Sequence, residues 1–155
     1  MPRAVKSRPA PLHLLHRCSQ LADGLFARHV GDVELTPRQF AVLEAVAGQS
    51  GLSQTDIMAA TGIDRSSTAE LVRRLVSNGC LQRRRTRRDT RVYAVRITTR
   101  GRELMAIGAS ATRAAEEALL MPVAPDQRAA FLEVLVRIVS VTEKLKGSEG
   151  AKTGS

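Results

Sequence analysis

Apolar residues recur along this chain in blocks of helical period, separated by short polar or glycine-bearing breaks. Leu12, Leu15, Leu21, Ala22, Leu25 and Phe26 fall mostly three or four apart, with Arg17 and Gln20 between them, and predict a first helix from Leu12 to Val30. Leu35-Thr36-Pro37-Arg38-Gln39-Phe40 carries a complete helix start: Thr36 caps, Pro37 fits the first turn, Gln39 reaches back, and Leu35 packs on Phe40. This second helix runs to about Ala47. The same grammar in Leu52-Ser53-Gln54-Thr55-Asp56-Ile57 opens a short third helix that stops at Gly62. Asp64 then opens a fourth, which continues through Asn78 and ends at Gly79. Two helices joined by a turn of about three residues make a helix-turn-helix.

Past Gly79 the period shortens to two. Leu81 to Arg85 and Val92 to Thr98 read as the strands of a hairpin, with Tyr93, Val95 and Ile97 on one face and Ala94 and Arg96 on the other. Thr98 or Thr99 caps a long fifth helix to about Met121. After the break from Pro122 to Pro125, a last apolar helix spans Asp126 to Lys146. Its Phe131, Leu132, Val134, Leu135, Val136, Ile138, Val139 and Val141 cover too much circumference for one side of a monomer, so a shared interface is expected to bury them. The fold class that follows is mostly α with a small β-hairpin wing: a winged helix-turn-helix domain plus a helical dimerisation region. The expected division is a flexible N-terminus over 1–10, a dimerisation helix over 11–34, the winged domain over 35–100, dimerisation helices over 101–146 and a flexible tail over 147–155.

Charge gives this fold a partner. The chain has 155 residues, the size of about one domain, and 24 Lys and Arg against 15 Asp and Glu leave it at +9. Residues 65–102 alone hold twelve arginines against Glu70 and Asp89, a local balance of +10, so the whole excess lies in one quarter of the sequence. Such a patch suits a polyanion. With aromatics at 3% and no Trp, the chain lacks the platforms on which single-strand and RNA binders stack bases, which leaves duplex DNA. No run approaches the roughly 18 apolar residues of a membrane helix, and the N-terminal segment lacks the apolar block of a signal peptide; a cytoplasmic protein with no membrane partner is expected. There is no Gly-rich phosphate loop, His-Glu-x-x-His or Gly-x-Ser-x-Gly, so neither an enzyme nor a cofactor is expected.

The fourth helix, residues 64 to 79, suits the major groove. Thr68, Leu71, Val72 and Leu75 form its inward stripe and leave Arg65, Ser66, Ala69, Glu70 and Arg73 facing out. Small Ser66 and Ala69 permit close approach. Arg65 and Arg73, with the adjacent Arg74, reach bases or phosphates, and the Ser67 hydroxyl suits a backbone contact. Glu70 either accepts from cytosine or pairs with Arg73 or Arg74. At the hairpin tip, Arg87, Arg88 and Arg91 suit a narrow minor groove, while Asp89 holds the loop through Arg91. Arg83, Arg84 and Arg85 are either phosphate contacts or a solvated edge strand.

From Leu12 to Lys146 these residues together resemble the MarR family, the multiple-antibiotic-resistance-type winged-helix regulators. The match runs through Leu35-Thr36-Pro37-Arg38-Gln39-Phe40-Ala41-Val42-Leu43, Gly62-Ile63-Asp64-Arg65-Ser66-Ser67 and Leu71-Val72-Arg73-Arg74-Leu75. It goes on through Gly79, Leu81, the wing Asp89-Thr90-Arg91 and the exit Ile97-Thr98-Thr99-Arg100-Gly101. Family wings often carry an acidic residue where this chain has Thr86. The resemblance implies a homodimeric, ligand-responsive regulator, most often a repressor, reading a pseudo-palindromic operator with half-sites about one DNA turn apart. It also implies a small anionic effector, an aromatic acid or acyl thioester, held between the dimer helices and the winged domain. His16, Arg17 and Arg38 are the candidates to hold it, because arginine grips carboxylates bidentately.

Two alternatives stay open. Cys18, beside Arg17 and His16, is either a redox-sensing thiol or a buried inert one, whereas Cys80 looks structural. The second alternative is an architectural protein that coats DNA with little sequence preference. A metal site from His13, His16 and His29 is not expected, since His29 stands about 20 Å along the helix from His16.

Overall fold

The computed structural model describes residues 10–85 and 93–150, the side chains of 142–150 excepted. The chain divides into two compact units, the first ending at Ala118 and the second beginning at Leu119.

The first unit contains helices α1 (Pro11–Val30), α2 (Pro37–Gly48), α3 (Gln54–Thr61) and α4 (Arg65–Ser77), strands β1 (Leu81–Arg85) and β2 (Tyr93–Ile97), and most of α5 (Thr99–Leu120). The starts of α2 and α3 are the predicted capping boxes. Thr36 Oγ1 accepts from Gln39 N at 3.2 Å while Gln39 Oε1 accepts from Thr36 N at 2.9 Å. Ser53 and Asp56 make the same exchange at 3.2 and 2.8 Å. Each box satisfies two of the amide groups that a helix start leaves open. Gly62 closes α3 at φ 68°, in the left-handed region where a side chain would be strained.

The core gathers where these helices meet the hairpin. Val42, Leu43 and Val46 of α2, Ile57 of α3, Val72 and Leu75 of α4, Leu81 of β1 and Val95 of β2 are buried together, and Phe26 of α1 packs its ring 6.0 Å from that of Phe40. Full burial of one such side chain contributes roughly 1.5–3 kcal/mol. Helix α5 approaches with glycine where it must come closest. A Cβ on Gly108 would collide with the Phe40 ring and lie 2.9 Å from Leu35 Cδ2, and one on Gly101 would collide with the Cys80 carbonyl.

β1 pairs antiparallel with β2, Leu81 opposite Ile97 and Arg85 opposite Tyr93. The far edge of β2 is occupied as well, because Val95 N donates to Leu52 O at 2.8 Å in an isolated bridge. This third segment makes β2 the middle of three paired segments. Ala94 is buried, with Gly51 close beside it, whereas Tyr93 is exposed although it shares a face with Val95 and Ile97. Val92, the expected first residue of that strand, lies outside the described residues.

The root of the hairpin is tied at Thr98, which rather than Thr99 caps α5. Its Oγ1 accepts from Gly101 N at 3.0 Å and donates toward Gly79 O at 2.7 Å and Cys80 O at 3.0 Å, while Thr98 N donates to Cys80 O at 3.0 Å.

The second unit contains a 3-10 turn, Pro125–Gln127, and helix α6 (Arg128–Gly150). The last helix therefore starts two residues later than expected, because Gln127 N bonds three residues back to Ala124 O and tightens the first turn. It also continues beyond Lys146. Phe131, Leu132, Val134, Val136, Ile138, Val139 and Val141 are between 39% and 63% exposed, and none of the described residues of α6 is buried.

Candidate nucleic-acid interface

Helix α4 is held at its start by one carboxylate. Asp64 Oδ1 accepts from Ser67 N at 2.9 Å and from Ser66 Oγ at 2.8 Å. These bonds, led by the Ser67 amide and followed by the Ser67 and Ser66 hydroxyls, hold the Asp64 carboxyl well below the usual carboxylate range. The start of α4 is thus partly satisfied from within, and the hydroxyls of Ser66 and Ser67 are turned toward Asp64. Ser66 remains exposed and Ser67 half-buried.

The inward stripe is as predicted: Thr68, Val72 and Leu75 are buried and Leu71 is half-buried. Thr68 is wholly buried and its hydroxyl donates to Ile63 O at 3.2 Å, which fixes α4 against the turn that precedes it. Burial of this stripe leaves Arg65, Arg73 and Arg74 exposed and Ala69 and Glu70 half-buried on the other side. There Glu70 takes both neighbouring guanidiniums. Arg73 Nε donates to Oε2 at 2.9 Å and Arg73 Nη2 to Oε1 at 2.8 Å, while Arg74 Nε donates to Oε1 at 2.7 Å. The bonds from Arg73 and then Arg74 pull the Glu70 carboxyl down to about 2, and Glu70 in turn raises Arg73. Of the two roles considered for Glu70, the pairing is the one present.

The strands bring more cations to the same unit. Arg83, Arg84, Arg85 and Arg96 are exposed, as are Arg100 and Arg102 at the start of α5. Arg85 lies over the Tyr93 ring at 5.9 Å from its centroid, which occupies its guanidinium plane without neutralising it. The predicted wing contacts Arg87, Arg88, Asp89 and Arg91 lie outside the described residues. A recess that the sequence pattern did not single out, of about 180 Å³, lies between the starts of α3 and α4 and is lined by Gln54, Thr55, Met58 and Arg65. The signal for it was present in two caps, Ser53 and Asp64, that open consecutive helices.

The model of the MarR family matches residues 34–92, from the turn before α2 to the hairpin. PcaV of Streptomyces coelicolor, solved in complex with its natural ligand, is 32% identical, with 90% of this chain and 99% of that one covered at a TM-score of 0.80. The chain belongs to the MarR family. BpsR of Bordetella bronchiseptica, whose DNA binding is regulated by 6-hydroxynicotinic acid, is 26% identical over 85% of this chain and 95% of that one, at a TM-score of 0.78. The transcriptional repressor CouR, bound to a 23-mer DNA duplex, is 28% identical over 84% of this chain and 92% of that one, at 0.77. Of the curated regulators it matches, the chain spans about half the length of one and 83% of another. MarR relatives and fold alike are those of transcriptional regulators, not of enzymes.

In this MarR-family chain the candidate effector residues are not gathered into one described site. His16 and Arg17 are exposed on α1 and Arg38 is exposed in the first turn of α2. A cavity of about 770 Å³ between α2 and α3 is lined by Glu44 and Asp56 and by no cation, the wrong sign for an anion. Another, of about 570 Å³, lies between the turn before α2 and the end of α4; Glu34, Gln39, Arg73, Arg74 and Asn78 are among its lining residues. Neither is lined by His16, Arg17 or Arg38. Cys80 is buried as expected, whereas Cys18 is exposed, which corrects the reading of a buried inert thiol. The whole stretch of α1 from Pro11 to Leu21 is exposed, so among the described residues no side chain buries that thiol. Among the described residues no three His, Cys, Asp or Glu side chains gather as a metal site would require, and no helix is long and apolar enough to cross a membrane.

Proposed function

We propose that this chain is a homodimeric repressor that reads a pseudo-palindromic operator in duplex DNA and leaves it when a small anionic effector binds. The observation that carries this reading is the division of α4: one stripe is locked into the core, and the opposite face presents arginines with only small or half-buried side chains between them. Arg65, Arg73 and Arg74 contact bases or phosphates, Ser66 and Ala69 allow the approach, and Ser67 secures the helix start. The wing residues Arg87, Arg88 and Arg91 enter the adjacent minor groove, with Asp89 shaping the loop. The winged domain is residues 35–100, and helices within 11–34 and 101–146 form the dimer. The exposed apolar faces of α1 and α6 support that assignment.

An aromatic acid or acyl thioester is the proposed effector class. BpsR, regulated by 6-hydroxynicotinic acid, supports an aromatic carboxylate, and PcaV with its natural ligand supports small-molecule control. His16, Arg17 and Arg38 are proposed to hold the carboxylate. The proposed fit is assembled in the dimer, since the exposed stretch of α1 is also the stretch that dimerisation would cover.

Competition tests the reading. The protein should hold the duplex flanking its own gene against excess random duplex at physiological salt, and a footprint should show two half-sites. Equal loss to random duplex would indicate an architectural coat and overturn it. For the effector, aromatic acids should release the wild-type protein, while Arg17→Ala and Arg38→Ala should respond only at higher concentration. Unchanged response in both variants would remove these residues from the site.

A further inference from the structure

Glu70 stands one turn before Arg73 and Arg74 on the exposed side of α4. Both its oxygens are occupied by three N–H donors from these two side chains. Each guanidinium carries five donors, so Arg73 keeps three and Arg74 four for other acceptors. The trio is solvent-facing, with side-chain exposures of 65% for Arg73, 63% for Arg74 and 43% for Glu70. Exposed pairs of this kind exchange readily, because water and salt screen them. Any DNA phosphate that approaches Arg73 or Arg74 therefore meets a carboxylate already in place, and must displace it or tolerate its charge.

We infer that Glu70 is a specificity-determining positioning residue, an internal competitor that holds Arg73 and Arg74 from indiscriminate phosphate contact and yields them only at a site that also engages the rest of the reading surface. The inference rests on the proposed reading of α4 as the DNA-contacting helix. On random duplex, phosphates alone compete with Glu70, and the carboxylate is itself repelled by the backbone. At the operator, base-edge contacts by Arg65 and the released arginine fork add to the exchange. Glu70 thus lowers both affinities but lowers the random one more, which widens their ratio.

Glu70→Gln keeps the size and helix preference of the side chain and removes the charge. With full-length protein on a short random-sequence duplex, the substitution is expected to tighten binding about tenfold at moderate salt. It is also expected to steepen the plot of log affinity against log salt by about one, the contribution of one additional phosphate neutralised. Affinity for a duplex bearing the footprinted site should rise less, so the ratio of specific to random binding falls. An unchanged random affinity and slope, or a larger loss at the footprinted site than on random duplex, would overturn the inference.

The clamp is separated from simple charge by placing the same substitution in an Arg73→Ala/Arg74→Ala background, at salt low enough for all four proteins to bind. The gain should shrink severalfold there, because no arginine remains to be released. A gain of the same size would show a long-range charge effect and overturn the clamp. If Arg73→Ala/Arg74→Ala binds both duplexes as the wild type does, the reading of α4 itself fails and the clamp fails with it. If that variant binds weakly while Glu70→Gln changes nothing, only the clamp fails. Thermal unfolding of each variant establishes that the proteins compared are folded.

Discussion

Helices α2 and α6 are both rich in apolar residues and use them in opposite ways. In α2, Phe40, Val42, Leu43 and Val46 are buried among α1, α3, α4 and the hairpin. In α6, seven large apolar residues stay at least 39% exposed. The contrast shows what an apolar pattern states: that a face needs a partner, not where the partner is. For α2 the partner lies in the same unit. For α6, where the pattern wraps much of the circumference, we propose that the partner is a second copy of the chain.

Removing one side chain from each helix gives the sharpest test of that contrast. Leu43→Ala should lower stability by about 2–5 kcal/mol in urea unfolding, since the side chain is wholly buried and leaves a cavity. It should leave the mass measured by sedimentation unchanged. Val136→Asp should do the converse, with little effect on the winged domain's own unfolding but a dimer dissociation constant raised about tenfold or more, from the lost apolar burial. A dimer of undiminished strength would break the comparison.

Two glycines extend it to smaller effects. Gly108→Ala should destabilise by about 1–3 kcal/mol, because the added methyl meets the Phe40 ring and Leu35. Gly24→Ala on α1, where nothing lies within 4 Å and the helix needs no glycine, should stabilise by about 0.5–1 kcal/mol. Equal effects would mean that α5 does not approach α2 as described.

Acid gives the smallest effect. Asp56, Asp64 and Glu70, all in the first unit, have carboxyls lowered in the folded chain by hydrogen bonds from Ser53, from Ser67 and Ser66, and from Arg73 and Arg74. A carboxyl lowered on folding stabilises fully above its unfolded value, near 4, and loses that contribution as pH falls through the folded one. The urea midpoint should therefore hold from pH 7 to about 5 and decline below 4. All three groups are exposed, so the decline should be shallow, and Glu70→Gln should make it shallower. A midpoint that rises on acidification would contradict the sign.

Much of this arrangement was legible in the residues. Helix starts were the clearest, because a capping box is a local exchange that four residues carry unaided, as at Thr36 and Ser53. The inward stripe of α4 followed from its period. The bridge from Leu52 to Val95 was not legible, since it joins segments more than forty residues apart through backbone atoms that any side chain would permit. The alternation of faces along β2 likewise did not state that Ala94 is buried and Tyr93 exposed. The candidate site divides similarly. Charge and spacing placed the cations, but the geometry of the Glu70 clamp depends on rotamers of three long side chains, and an effector site assembled from two subunits, as we propose, would leave no periodicity in either one.

The threonine at the base of the hairpin carries a mechanical consequence. Thr98 joins the carbonyls that end the α4 segment to the first amide turn of α5, and Gly101 lets the two backbones touch there. Added to the core that α4, the hairpin and α5 share, this bonding ties the end of the α4 segment, the hairpin root and the start of α5 into one block, so that a torque applied along α5 is passed to both. Thr98→Val would remove the three side-chain bonds and leave the Thr98 N–H on Cys80 O and the packed core to hold the joint, a softer hinge at the point where the proposed effector response would have to pass to the proposed DNA-reading helix.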